Sequence, residues 1–300
     1  MKKKINVSVV CATHKGSSKL KNLIHSIYKN KVWPKEIVVC GTSKNDLRYI
    51  NPKIISLMNI KFFKSQKKSQ IYQRSVAINK SKSDYILQID DDVTVDKNFF
   101  HNIKKYTQKK KVIDKKIISA LILQSNNNLQ AGSWNNIYKK YFIFRLILRF
   151  LNKGKIIKQY SILESGRCIP YIENFAGKLN KNIANAQWLC STVLYHKSCR
   201  SIIKQFSQIG KKAYYEDVLF SHQLFLKKYN LIIDKNIVGT HDNQPYTSIT
   251  TYFKTLSTQL FLVNFFNKSK LFFIFDVVIF TIIHLIRDLY MGIKKLTNEI

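Results

Sequence analysis

The stretch YILQIDDDVTVD, residues 85–96, decides how the rest of the chain is read. A short apolar run ends in three adjacent aspartates, Asp90, Asp91 and Asp92. The chain carries 51 Lys and Arg against 17 Asp and Glu, a net charge of +34, so three neighbouring acids stand out. Like charges this close repel unless a cation or a hydrogen-bond network sits among them. Carboxylates at i and i+2 beyond a buried strand can face one cleft. Hard divalent cations such as Mg2+ or Mn2+ take oxygen ligands of this kind and complete their shell with phosphate oxygens. A metal held so neutralises a diphosphate leaving group. The competing reading is a solvated acidic turn that caps a helix starting near Asp96.

Upstream, residues 5–12 (INVSVVCA) are rich in β-branched side chains and end at the polar turn THKGSS. Leu20, Leu23, Ile24 and Ile27 then repeat at helical spacing. Pro34 marks a turn before a second buried strand at Glu36–Cys40, and residues 53–63 hold a third candidate strand. Residues 69–80 read as a helix and Asp84–Ile89 as a short strand running into the aspartates. Strand alternating with helix predicts an α/β fold on a largely parallel sheet. In such sheets ligands bind beyond the carboxyl ends of the strands. Thr13–His14, Gly41–Thr42 and Asp90–Asp92 all lie at such ends.

Downstream the pattern is looser. Residues 124–135 form a polar loop, 152–187 are irregular, and 188–195 and 231–238 are apolar. Residues 214–229 fit a helix that opens on Glu216–Asp217. Acids in a first helical turn complement the helix dipole. Alternatively, one of them is a general base that takes the proton of an incoming hydroxyl. His241 follows an apolar run and is either structural or a metal ligand. Trp134 and Trp188 are candidates to stack on an acceptor sugar, with core packing as the alternative.

The order of these features resembles glycosyltransferase family 2, of the GT-A fold. SVVCATHKG is similar to the family's opening strand and nucleotide loop, and PKEIVVCGTS to its second strand. QRSVAINKSKSDYILQIDDDV resembles the segment leading into the DXD motif, and YYEDVLFSHQL the ED motif. The resemblance covers roughly residues 5–245. It implies a GT-A-like domain over 1–245, with a donor half to about 96 and an acceptor half from about 97. It implies sugar transfer from a nucleoside-diphosphate-sugar, a UDP-sugar being favoured, with Mn2+ or Mg2+. Asp92, Asp90 and His241 would be metal-side residues, and Asp217 the base with Glu216 beside it. Thr13, His14, Thr42, Arg74, Asp90 and Asp91 would line the donor site. The second strand ends Cys40-Gly41-Thr42-Ser43, where the family usually carries acids that contact the base, so base recognition must differ here.

Composition narrows the partners. A chain at +34 is drawn to polyanions, either nucleic acid or an anionic leaflet. There is no zinc-finger spacing, RNA-binding aromatic signature or compact basic arm, which disfavours nucleic acid. Five cysteines without a CxxC pair fit a reduced, cytoplasmic compartment. Residues 246–300 read as an amphipathic, apolar helical region. Its segment 271–286 is 16 residues long and contains Asp276 and His284, too short and too polar to span a bilayer. His284, Arg287, Asp288, Lys294 and Lys295 fall on one side of a helical projection. An interfacial helix at the inner face of the cell membrane is expected, with 137–151 docking alike; packing inside the chain or in a homo-oligomer is the alternative. Together these readings describe an inverting, metal-dependent transferase acting on a glycan or lipid-linked acceptor in cell-surface polysaccharide or glycolipid synthesis. The alternatives are a polyprenyl-phosphate sugar synthase of the same fold and a non-catalytic polyanion-binding protein.

Overall fold

Valines on a central strand start the core. In the computed structural model, which describes residues 2–14, 17–108, 116–124, 142–155, 157, 161–169, 183–189, 192–204, 216–241 and 249–297, Lys3–Thr13 form β1. Val7, Val9 and Val10 on it are fully buried, as suits β-branched side chains covered on both faces. The helix α1 (Ser17–Lys29) buries Leu20, Leu23, Ile24 and Ile27 completely. Each such side chain contributes about 1.5–3 kcal/mol. Then come β2 (Val32–Gly41), a 3-10 turn at Lys44–Leu47, α2 (Pro52–Leu57) and β3 (Ile60–Lys64). The strand expected within 53–63 is β3, which begins at Ile60 after the short helix α2. Asn51 caps α2 by accepting from the Lys53 N–H at 2.8 Å, and Pro52 occupies the first helical position.

The chain continues through α3 (Gln70–Lys80), β4 (Tyr85–Gln88), β5 (Val93–Val95), α4 (Phe99–Gln108) and β6 (Lys116–Gln124). After these come α5 (Phe142–Leu151), β7 (Ser161–Ile162), β8 (Cys168–Ile169), β9 (Ile183–Asn185) and β10 (Val193–His196). The last elements are α6 (Arg200–Lys204), α7 (Glu216–Leu226), β11 (Asn230–His241), α8 (Ile249–Phe265) and α9 (Lys270–Thr297). The main sheet runs β3-β2-β1-β4-β10-β6-β11-β5, with β9 also on β11. Its first four strands are parallel, and β6 pairs in parallel with β11. Antiparallel pairing enters with β10, β5 and β9. Residues 125–135, expected as a polar loop, lie outside the described residues.

Two units divide the chain: Met1–Asn127 with Leu179–Asp242, and Asn128–Lys178 with Asn243–Ile300. In the first, buried Glu36 locks the parallel strands together. It accepts from Ser8 at 2.7 Å, Lys61 at 2.7 Å and the Lys82 N–H at 2.6 Å. Burial favours its neutral form, but these donors outweigh that and hold the carboxyl below its usual range. Cys11 and Cys40 act as small core hydrophobes. Burial pushes the Cys11 thiol well up and Cys40 to about 11.

In the second unit Leu148, Leu151, Leu163, Tyr252 and Phe280 form a core. Asp276 is fully buried, with Arg167 donating at 2.8 and 2.5 Å and Ser165 at 3.0 Å. His284 is buried and stacks on Tyr252 with ring centroids 4.8 Å apart. Arg287 and Asp288 are half-buried. His284, Arg287 and Asp288 were expected together on the water-facing side of α9. His284 faces inward instead, stacked on Tyr252, and Asp276 is likewise buried, where Arg167 meets it. No helix among the described residues is long and apolar enough to cross a membrane.

Candidate functional site

The strand β4 runs through the middle of the sheet, and Asp90–Asp92 form the turn beyond its carboxyl end. The Val93 N–H closes this turn on the Asp90 carbonyl at 3.3 Å. The following helix is capped separately, since Asp96 accepts from the Asn98 N–H at 2.8 Å. The acidic turn is therefore not a helix cap.

The three carboxylates point to three different elements. Asp90 turns to α3, where Arg74 pairs with its Oδ1 and the Gln70 amide donates to the same oxygen at 3.4 Å. Gln70 and Arg74 are four apart and share a helix face. Asp91 turns to β1, accepting the Thr13 hydroxyl at 2.6 Å. Asp92 turns to α1 and β11: its Oδ2 is 3.6 Å from the Lys19 ammonium and its Oδ1 3.2 Å from His241 Nε2. The sheet explains the last contact. On β11 an irregularity between Asp234 and Val238 frees the strand to pair with β5, placing His241 opposite Val93.

Glu216 and Asp217 open α7, and Arg74 reaches them as well. Its second terminal nitrogen pairs with Glu216 Oε1, so one guanidinium bridges the acidic turn and the first turn of α7. Its side chain is only 6% exposed, which makes it a buried planar clamp between two carboxylates. Asp217 is half-buried and accepts from the Val218 N–H at 2.9 Å. Burial pushes its carboxyl up to about 6, against the Val218 N–H and the Arg74 charge; Asp90 adds to the rise. Asp91 is likewise raised to about 6, first by burial and then by its acidic neighbours. Burial acts on Asp92 in the same direction, yet the His241 hydrogen bond and charge, with Lys19, hold it below the usual range.

At the neighbouring strand ends, His14 Nδ1 lies 3.3 Å from the Thr42 hydroxyl. Asp46, which the sequence did not single out, is only 5% exposed, and its Oδ2 is buried with no partner among the described residues. It packs against Gly41. A Cβ there would lie 2.7 Å from that oxygen and 3.0 Å from Thr13 Cγ2, so a side chain at position 41 would push the Asp46 carboxylate aside. A carboxylate thus stands beside the strand end that lacks one in sequence. Lys19, Gln70 and Asp46 were all missed. Only Gln70 carried a local signal, its spacing from Arg74. Trp188 is 7% exposed and packed in the protein, and Trp134 lies outside the described residues.

Asp92 and His241 face each other with a carboxylate and an imidazole; the carboxylate suits Mn2+ or Mg2+, and the added nitrogen donor fits Mn2+ better than the oxygen-preferring Mg2+. Among the described residues no group of three or more His, Cys, Asp or Glu converges. Two protein ligands fit a cation whose shell is completed by water and substrate phosphates.

This arrangement, a mixed, mainly parallel α/β sheet with an acidic turn beyond its central strand, has the architecture of the GT-A glycosyltransferases. Staphylococcus aureus TarS 1–349, solved with UDP-GlcNAc, superposes with a TM-score of 0.53 at 13% identity, over 88% of this chain and 66% of that one. GalNAc-T7, solved with UDP, GalNAc and Mn2+, gives 0.56 at 16% identity, over 87% of this chain and 48% of that one. This chain therefore spans less than two thirds of either. No family model and no curated protein matches the sequence.

Proposed function

We propose that this chain is a metal-dependent, inverting glycosyltransferase. It takes a nucleoside-diphosphate-sugar, a UDP-sugar being favoured, and passes the sugar to a hydroxyl of a glycan or lipid-linked acceptor. Its place is the synthesis of cell-surface polysaccharide or glycolipid, at the inner face of the cell membrane. The observation that carries this reading is the Arg74 bridge, which joins a carboxylate turn suited to a metal–diphosphate to the helix start bearing Asp217.

Asp217, raised to about 6, is poised to accept the acceptor's hydroxyl proton near neutral pH. The hydroxyl oxygen then bonds to the anomeric carbon on the face opposite the diphosphate, and the carbon–diphosphate bond breaks with inversion. Asp92 and His241 would hold the divalent cation, whose chemistry is to neutralise charge on the departing diphosphate. Lys19 adds a fixed positive charge beside Asp92. Thr13 holds Asp91, while His14 and Thr42 border the donor side.

Calorimetric titration with UDP tests the donor site. Binding should require Mn2+ or Mg2+, and Asp92→Ala should weaken it at least tenfold. If folded protein binds no UDP, GDP or CDP with either metal, the transferase reading fails.

Asp46 makes a second expectation. Its buried, unpartnered oxygen is an acceptor for a base N–H such as the imide of uracil. Asp46→Asn should cost UDP about tenfold in affinity and narrow its margin over CDP, whose ring lacks that N–H, because an unmatched buried polar group costs about 1–3 kcal/mol. Unchanged affinity and selectivity would remove Asp46 from the donor site.

A further inference from the structure

The outer row of α9 is apolar where a water-facing helix is polar. Leu271, Ile274, Val278, Ile282, Leu285 and Leu289 repeat every three or four residues, and all are exposed. They form a stripe about 27 Å long at 1.5 Å per residue. Every exposed position described between Leu271 and Tyr290 is apolar, while Asp276 and His284 are buried on the opposite side. Ordinary surface helices are arranged the other way.

The neighbouring helix extends this face. On α5, Phe142, Ile143, Leu146 and Phe150 are exposed, and the Phe150 ring lies 5.5 Å from Phe272 and 5.4 Å from Phe275. Fourteen large apolar side chains of α5 and α9 are exposed among the described residues, far more than the scattered few of an ordinary monomer surface.

Charge says what covers it. Arg145 and Arg149 are exposed beside the apolar side chains of α5, with Lys153 and Lys155 just beyond. Arg145 lies over the Phe142 ring, 5.7 Å from its centroid, and Lys153 over the Phe272 ring at 5.8 Å. Among the described residues no acid pairs with Arg145 or Arg149. Asp276 is buried, Asp288 is half-buried against Arg287, and Glu164 is surrounded by Lys153, Lys155 and Lys268. A second copy of the chain would bring two faces of the same sign together, each on a molecule of +34. Anionic phospholipid answers both features at once: acyl chains take the apolar row and headgroups take the cations.

We infer that α5 and α9 form a membrane-docking face that seats on anionic phospholipid without spanning the bilayer. The inference names the surface behind the proposed location and does not depend on glycosyl transfer.

The full chain is co-sedimented with vesicles of phosphatidylcholine alone, and with vesicles containing about a third phosphatidylglycerol. Binding to the anionic vesicles should be at least tenfold stronger. Ile282→Glu/Leu285→Glu should lose at least tenfold of it, and Arg145→Glu/Arg149→Glu should lose the preference for phosphatidylglycerol. All four substitutions are at exposed positions, and circular dichroism melting should be unchanged. Anionic binding that survives Ile282→Glu/Leu285→Glu would be mere adsorption of a polycation and would overturn the inference. So would no vesicle binding together with a dimer in sedimentation velocity that those two substitutions dissolve. Nucleotide titration is read separately, so failure here leaves the donor site untouched.

Discussion

Asp217→Asn should lower kcat about 10³-fold while leaving UDP affinity within about twofold. Asparagine serves a helix start as well as aspartate does, so a role limited to capping predicts no loss. Wild-type kcat/KM should fall tenfold per unit below about pH 6, the value to which burial raises this carboxyl. The residual activity of the variant should lack that inflection. Stability should move the other way. A carboxyl raised above its unfolded value binds a proton more tightly when folded, so its penalty grows as pH rises from about 4 to 6 and is complete above 6. At pH 8 Asp217→Asn should therefore stabilise the fold, by up to about 3 kcal/mol. The gain will be smaller to the extent that water reaches this half-buried group. Full turnover by the variant, or a lower melting temperature at pH 8, would refute the assignment.

The alternation of β-branched runs with helical spacing made the donor half readable, because each element there is short and local and carries its own start signal. Residues 53–63 do hold the expected strand, β3, but only from Ile60, and the helix before it carries a signal that the sequence shows. Asn51-Pro52 begins a helix, and that local chemistry outweighs the isoleucines of α2. The site was readable where adjacency mattered, as at Asp90–Asp92, and unreadable where pairing is distant. His241 gains meaning only from its register opposite Val93. Asp46 is one acid past a strand end until folding sets it against Gly41. On α9 the periodicity was clear, but polarity alone does not say which side faces in. That is decided by Arg167, 109 residues before Asp276.

Arg74 was expected to line the donor site, and its place between Asp90 and Glu216 gives the second large effect. Glu216 is 142 residues away in the chain, so no sequence spacing could announce the pairing. The side chains of Asp90 and Glu216 are 16% and 14% exposed, so removing the cation leaves two mostly buried like charges. Arg74→Met should cost about 3–5 kcal/mol. The melting temperature should drop on the order of 10 °C. Arg74→Lys should not restore the clamp, because an ammonium lacks the planar fork that reaches two carboxylates. Its UDP affinity should stay within about threefold while kcat falls, since the guanidinium positions the start of α7 rather than touching substrate. The triple variant Arg74→Met/Asp90→Asn/Glu216→Gln should recover most of the lost stability, because neutral groups need no counter-charge, but not the turnover. Should Arg74→Met melt within about 2 °C of the wild type, the bridge carries little energy, and the coupling of the acidic turn to Asp217 must come from elsewhere in the sheet.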